Sequence, residues 1–390
     1  MQQPSLQDCE VVSSYMESSN QFYQELLGYK PTQTKLKIIS EIKWFQFTQE
    51  RGLAPNSSGI YLPRNQTAII KEENPLSLFH EYFGHGLYCE QSLTGRKLVD
   101  LEKKLLEEEK HEFQEKQFSL KDIQRFRKQN KTFQELEEFR KINLGTYESF
   151  AIFTEYLLSG EFNLREEFEK KHDSLKNKEK EVVDSIINFN QKYGDLTTFY
   201  NFGLARRTTT ERVKKLLEEV CGNKAVKNSK LILLTGSKKS FSDIDLFASS
   251  NYLQSIKNNW LDLVSFNEED FERRISLSET QITHPIMAGE LISGDKNYLE
   301  QKRKQLKEQP INEEAIQHNF RKSEENRFAS KETKDDGLKR IFDSYFKTYL
   351  ANAFALREGK KLFTKKDLLS YLKEKNSHSE SFIELKGGIE

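Results

Sequence analysis

Cysteine, net charge and long apolar runs are all scarce in this chain of 390 residues. Its three cysteines, Cys9, Cys89 and Cys221, are widely spaced and form no CxxC pair. That pattern excludes a zinc–thiolate site and a disulfide framework. Lys and Arg together number 61, as do Asp and Glu, so the overall charge favours no polyanionic partner. No clear nucleic-acid patch is present.

The chain also lacks membrane and export signals. No apolar run approaches the roughly 20 residues that a membrane-spanning helix needs, and the first ten residues lack a basic-then-apolar signal. We therefore expect a cytoplasmic protein with no membrane partner. Charged residues make up 31% of the chain, which predicts many exposed helices. With 28 Phe and 15 Tyr, aromatic side chains are expected to supply much of the core.

The clearest chemical pattern follows an apolar run, Leu231–Leu234, that predicts a buried strand. Gly236 and Ser237 then form a tight turn. A second short strand places Asp243 and Asp245 on one face, since side chains at i and i+2 of a strand point the same way. Two carboxylates beside a glycine–serine turn favour a divalent cation held against a polyphosphate. The alternative is a surface hairpin whose acids are merely solvated.

With Ser242 before the first acid, these residues resemble the signature of the DNA polymerase β-like nucleotidyltransferases, Gly-Ser, a spacer, then Ser-Asp-x-Asp. Members of that superfamily use a third carboxylate on a neighbouring strand, and Asp262 lies within an apolar, strand-like run. The resemblance implies transfer of a nucleoside monophosphate from a nucleoside triphosphate to a hydroxyl acceptor. It also implies that Asp243, Asp245 and Asp262 bind Mg²⁺. The residues that it implies contact the nucleotide are Gly236, Ser237 and Ser242.

A second pattern begins at His80 and Glu81 and ends at His85. It resembles the HExxH motif of zinc peptidases, in which two imidazoles bind Zn²⁺ and the glutamate activates a water molecule. Here the second histidine comes one position later. Residues i and i+5 lie about 140° apart on an ideal α-helix, so both histidines reach one metal only if the helix is widened. A π-bulge widens it, and Gly84 and Gly86 favour that distortion.

The tubulin tyrosine carboxypeptidases resemble this chain in their HExxxH spacing. The run from Gly84 to Glu90 is also similar to the Gly-His-Ala-Leu-Tyr-Glu of thermostable carboxypeptidases. Gluzincins take a third ligand from an ExxA-like context on a later helix, and residues 147–157 match that context. There, acids interrupt an apolar run, which predicts a buried helix with inward-facing carboxylates.

The gluzincin resemblance implies a zinc site of His80, His85 and Glu148, with Glu81 as general base. Glu155, two turns further on, is the substitute ligand or a hydrogen-bond partner of a histidine. The alternative is a core helix whose histidines are simply hydrogen-bonded.

Together these patterns predict an α+β, mostly helical fold. A helical zinc-peptidase-like domain is followed by a small mixed-sheet nucleotidyltransferase lobe and a helical C-terminal lobe. The expected bounds are 1–205, 208–280 and 281–376, with a flexible tail at 377–390. In more detail, we expect mainly helices over 9–52 with a break at 29–31, a small hairpin or edge ribbon over 60–70, and a chain that is helical after Asp262.

The predicted function is that of a two-module enzyme, a Mg²⁺-dependent nucleotidyltransferase fused to a zinc-dependent peptidase-like hydrolase. Its partners would be a nucleoside triphosphate and a peptide, protein or small-molecule acceptor. One alternative makes the N-terminal half a degenerate, non-hydrolytic recognition module, which a regular α-helix at 80–85 or a lack of zinc would favour. The other is a non-enzymatic regulator of toxin–antitoxin type, which failure to bind nucleotide with Mg²⁺ would favour.

Overall fold

The computed structural model describes the following residues: 6–51, 57–72, 74–113, 119–204, 209–236, 243–258 and 260–376. They divide into two compact units, an N-terminal unit up to residue 204 and a C-terminal unit from residue 209. Both are mostly helical with a small mixed sheet, which confirms the predicted α+β, mostly helical composition. None of the helices in these ranges is long and apolar enough to cross a membrane. The predictions for Ser237, Ser242 and the tail at 377–390 lie outside the described residues.

Helices dominate the N-terminal unit. The α-helices are α1 Leu6–Leu27, α2 Glu41–Arg51, α3 Pro75–Ser77, α4 Leu87–Gln91, α5 Leu93–Glu112, α6 Leu120–Gln129, α7 Lys131–Glu161, α8 Arg165–Asp173, α9 Asn177–Tyr193 and α10 Asp195–Asn201. A 3₁₀ turn occupies Pro63–Asn65, and a π-helix, Leu78–Gly86, joins α3 to α4. The side chain of Asn74 accepts a hydrogen bond from the Ser77 N–H at 2.9 Å, which caps the start of this helical stretch.

Three strands complete the N-terminal unit: β1 Lys35–Ile39, β2 Gly59–Leu62 and β3 Thr67–Lys71. β2 and β3 pair antiparallel, which confirms the expected hairpin. β1 lies parallel to β3 on its other side, so the prediction that residues 9–52 are helical is wrong at 35–39. Lys-Leu-Lys-Ile-Ile alternates exposed and more buried side chains, a pattern that a strand beside β3 satisfies and a helix does not.

Aromatic side chains fill the core of this unit, as expected. Tyr23, Phe79, Phe83, Phe150 and Phe199 are fully buried. The ring of Tyr23 stacks on that of Phe83 with centroids 5.6 Å apart and meets the edge of Phe199 at 5.7 Å. These contacts tie α1, the π-helix and α10 together, and Phe150 on α7 meets Phe199 with ring centroids 5.8 Å apart.

The C-terminal unit surrounds a five-stranded sheet. Its strands are β4 Leu231–Thr235, β5 Ile244–Ser249, β6 Ile256–Lys257, β7 Leu261–Phe266 and β8 Glu290–Gly294. Their order is β6-β7-β5-β4-β8, with β5 and β7 parallel and the other pairs antiparallel. The helices are α11 Thr210–Cys221, α12 Asn223–Lys227, α13 Glu268–Ser276, α14 Thr280–Ala288, α15 Lys296–Glu308, α16 Glu313–Glu332, α17 Asp336–Arg357 and α18 Lys365–Asn376.

The predicted strands at 231–234 and around Asp262 are present, but the prediction that the chain after Asp262 is helical is wrong at β8. The side chains of Leu231 and Leu233 on β4 are completely buried, and β4 needs a hydrogen-bonded partner on each side. β5 supplies one and β8 the other. The sheet therefore draws on residues beyond the expected lobe boundary at 280.

Gly84 sets the approach of the π-helix to α7. A Cβ atom at Gly84 would lie 2.7 Å from the Ala151 Cα and 2.9 Å from its Cβ. We predict that Gly84→Ala lowers the free energy of unfolding by about 1–3 kcal/mol, because the two helices must separate. Urea denaturation followed by circular dichroism measures the change.

Gly145, within α7, is the matched control, since a Cβ there meets nothing within 4 Å. Gly145→Ala should raise stability by up to about 1 kcal/mol, because alanine favours a helix over glycine. Equal effects of the two substitutions would contradict the close-contact explanation.

Candidate functional site

The π-helix turns two histidines toward each other. Its hydrogen bonds run from residue i to i+5, so side chains five positions apart lie near the same face. The ring centroids of His80 and His85 are accordingly 4.8 Å apart, and the ring planes are nearly perpendicular, at 87°. This is the widened helix that the HExxxH spacing requires, and regular α-helical geometry, which would have favoured a degenerate module, is not found at 80–85.

Glu148 on α7 completes a three-residue cluster. Its Oε2 atom lies 3.6 Å from His80 Nε2 and 3.7 Å from His85 Nε2. The three ligand atoms all lie within 4.8 Å of one another. In the described parts of the chain, no other three His, Cys, Asp or Glu residues come this close. Two imidazole nitrogens and one carboxylate oxygen are a donor set that zinc accepts, with a fourth position open.

Glu155 lies on the other side of His80. Its Oε2 atom is 3.0 Å from His80 Nδ1, the nitrogen that faces away from Glu148. The side chain is only 1% exposed, whereas that of Glu148 is 46% exposed. The two acids therefore differ in position: Glu148 lies where it could serve as a metal ligand with the two histidines, and Glu155 lies where it could orient the imidazole of His80.

Glu81 is the carboxylate beside the cluster. It is 8% exposed, and its Oε2 atom lies 4.0 Å from His85 Nε2. Gly59 on β2 packs against it, since a Cβ at Gly59 would lie 2.6 Å from Glu81 Cγ. Burial raises the pKa of Glu81 to about 7, a value that suits a group that both takes and returns a proton.

The imidazoles of the two histidines have pKa values shifted in opposite directions. Burial lowers the pKa of His85 to about 3, which keeps its imidazole neutral. Burial also acts to lower the pKa of His80, but the nearby carboxylates of Glu148 and Glu155 outweigh that effect and raise the pKa to about 10. The carboxylates around His80 thus favour a positive charge on its imidazole. A metal cation bound beside the imidazole would meet the same attraction.

An apolar cavity of about 230 Å³ adjoins this site. Tyr147 forms part of its wall and stacks on His85, with ring centroids 3.9 Å apart and planes at 19°. The other lining residues include Tyr61, Tyr88, Leu98, Phe139 and Leu144. Glu102 and Arg140, which also line it, form an ion pair with each other. The cavity is therefore apolar and carries little net charge.

Sequence reasoning missed two residues of this site. The sequence did offer a clue to Tyr147, because this residue directly precedes the candidate ligand Glu148. No sequence feature pointed to Lys171 on α8, because it lies in a stretch dense in Lys and Glu. Its Nζ nevertheless donates to both carboxylate oxygens of Glu155, at 2.8 and 2.9 Å.

In the C-terminal unit, the sheet brings two of the predicted acids side by side. Asp245 on β5 is the register partner of Asp262 on the parallel strand β7, and Asp243 directly precedes β5. Gly236 has a φ of +70°, and a Cβ there would collide with the Asp245 carboxylate, so this turn requires glycine. Burial and the charges of Asp243 and Asp262 raise the pKa of Asp245 to about 6.

The three aspartates do not converge as tightly as the histidine cluster. They are not among the sets within 4.8 Å in the residues that the structure describes. Lys257, directly opposite Asp262 in the β6–β7 pair, donates to its Oδ2 atom at 2.8 Å. The ammonium group of Lys257 therefore binds the carboxylate of Asp262, which the resemblance assigns to magnesium.

A cavity of about 390 Å³ opens at the aspartates. Besides Gly236, Asp245 and Asp262, its lining includes Gln281, His284, Tyr345 and Lys365. The volume falls within the range of about 300–1,000 Å³ that small-molecule sites occupy.

Comparison of the chain with models of protein families, with curated proteins and with solved structures found no match. Both candidate sites therefore stand on their residues and their geometry alone.

We predict that the purified protein contains about one zinc ion per chain and that His85→Ala loses it, because the variant removes one of three ligands. Elemental analysis of dialysed protein measures the ratio. His111→Ala is the matched control, since His111 is exposed on α5 and belongs to no cluster. Wild-type protein without zinc, or a His85→Ala variant that retains it, would contradict the assignment.

Proposed function

We propose that the chain is a two-module enzyme, with a zinc-dependent peptidase-like hydrolase in its N-terminal unit. The observation that carries this proposal is the convergence of His80, His85 and Glu148 within 4.8 Å, with Glu81 beside them. Glu148 is half exposed, so a substrate can reach the cluster from solvent.

The residues divide the chemistry of hydrolysis among them. Zn²⁺, when bound to His80, His85 and Glu148, supplies a Lewis acid. Glu81 takes a proton from the attacking water as the oxygen bonds to the scissile carbonyl carbon, and it delivers that proton to the nitrogen that leaves. Burial raises the pKa of Glu81, which makes its carboxylate a stronger base for the first step.

The apolar cavity suggests which peptides would be hydrolysed. At about 230 Å³ it is smaller than the pockets that enclose whole ligands, and it suits one side chain. Its aromatic and aliphatic walls favour a large apolar residue next to the scissile bond. The mutual neutralisation of Glu102 and Arg140 disfavours a charged one.

We predict that the zinc-loaded protein hydrolyses peptides with Phe or Leu beside the scissile bond faster than peptides with Ala or Asp there. Glu81→Gln should lower kcat by about 10²–10⁴-fold while zinc stays bound, because Glu81 is not a ligand. Mass spectrometry of a peptide mixture measures cleavage, and Glu107→Gln, an exposed acid on α5, is the control. Full activity in Glu81→Gln would contradict the assigned role.

For the C-terminal unit we propose a Mg²⁺-dependent nucleotidyltransferase. The observation that carries it is the register pairing of Asp245 with Asp262 on adjacent parallel strands, with Gly236 held against Asp245. The acids Asp243, Asp245 and Asp262 would hold Mg²⁺, which neutralises phosphate charge when bound. The acceptor hydroxyl would lose its proton to solvent as its oxygen bonds to the α-phosphorus of the nucleoside triphosphate, and the bond to pyrophosphate would break.

Transfer of label from an α-phosphate-labelled nucleoside triphosphate, assayed with each of the four bases, tests this module. Asp245→Asn should reduce transfer to background, since it removes a carboxylate that faces the phosphates. Asp336→Asn is the control, because Asp336 is exposed in the first turn of α17. If the wild-type protein binds no nucleotide in the presence of Mg²⁺, a non-enzymatic role becomes the better account.

A further inference from the structure

A lysine from a separate helix reaches the outer side of the candidate zinc centre. α8 carries Lys171, whose Nζ donates to both carboxylate oxygens of Glu155, at 2.8 and 2.9 Å. Glu155 in turn lies 3.0 Å from His80 Nδ1. Because the Lys171 side chain is 43% exposed and that of Glu155 only 1%, the three residues connect the surface to the imidazole of His80, which is 15% exposed.

Glu155 depends on this lysine electrostatically. A buried carboxylate is costly unless it is paired and hydrogen-bonded. Among the described residues, Lys171 is the one lysine or arginine that pairs with Glu155. Removing one partner of a buried ion pair leaves an uncompensated charge, which is the costly outcome.

Lys171 also balances the charge of the site. When all three are ionised, Glu81, Glu148 and Glu155 bring three negative charges around two imidazoles. A divalent cation would neutralise two of them, and Lys171 neutralises the third. This balance lowers the cost of burying Glu81 and Glu155, whereas an excess charge opposes burial.

We infer that Lys171 is a positioning residue for the metal centre and acts through Glu155 on His80. This inference rests on the proposed zinc site. By holding both oxygens of Glu155, Lys171 fixes the carboxylate so that it accepts a hydrogen bond from His80 Nδ1. The hydrogen on Nδ1 leaves the lone pair on Nε2, the nitrogen that faces Glu148 and the metal position.

Two effects of Lys171 on metal affinity have opposite signs. Its positive charge repels a nearby cation, but for a partly exposed charge this changes affinity by about fivefold at most. Loss of the residues that orient a ligand typically costs about 10–100-fold in metal affinity. The positioning effect is the larger, so removal of Lys171 should weaken metal binding.

The test is the Zn²⁺ dissociation constant of the full-length protein, measured by competition with a chelator. Lys171→Met should weaken binding about 10-fold or more, and Lys171→Arg should restore most of the affinity. Lys170→Met is the matched control, since Lys170 lies on the same helix with its side chain 77% exposed. The visible absorption spectrum of the Co²⁺-loaded protein reports any change in ligand geometry.

A double variant separates positioning from folding. If Lys171 acts through Glu155, Lys171→Met combined with Glu155→Gln should bind Zn²⁺ no more weakly than Glu155→Gln alone. The double variant also leaves no uncompensated buried charge, so it remains informative if Lys171→Met alone fails to fold.

Unchanged or tighter binding in Lys171→Met, or fully additive losses in the double variant, would overturn the inference and leave the hydrolase proposal standing. If metal binding depends on Lys171 but no peptide is hydrolysed, the inference about Lys171 stands and the hydrolase proposal is overturned. Wild-type protein that binds no Zn²⁺ would overturn both.

Discussion

The close packing of the π-helix against α7 is the constraint on which the N-terminal site depends. The two helices approach at Gly84 and Ala151, and this contact fixes their relative register. Glu148 and Glu155 are two turns apart on one face of α7, a rise of about 10 Å. Between them lies the imidazole of His80, so one acid meets each of its nitrogens. A shift of either helix would break both contacts together.

Much of this site could be predicted from the sequence, because the relevant chemistry is local. The spacing of His80 and His85 admits a shared metal only on a widened helix, and angular arithmetic alone leads to that conclusion. Strands β4 and β7 were also predictable, since β4 is a continuous apolar run and β7 is apolar from Leu261 to Val264 apart from Asp262. What the sequence left open was the division of roles between Glu148 and Glu155, because this depends on which nitrogen of His80 each acid faces.

The missed elements share a physical cause. β1 and β8 are short, and each is a strand because a distant strand offers it a partner: Lys35 pairs with Thr67, and Leu231 pairs with Gly294. Strand formation of this kind is a tertiary property. The same holds for Lys171 and Lys257. In a chain with 61 Lys and Arg residues, no local feature marks Lys171 as the partner of Glu155 or Lys257 as the partner of Asp262.

The π-helix has a consequence for how metal motifs are written. The four-residue interval of the familiar zinc-peptidase signature expresses the pitch of an α-helix, not a requirement of the metal. When the helix widens, the interval that brings two imidazoles together lengthens by one residue, and the same ligand geometry is encoded by a different string of letters. Pattern searches that fix the interval therefore test the helix type before they test the chemistry.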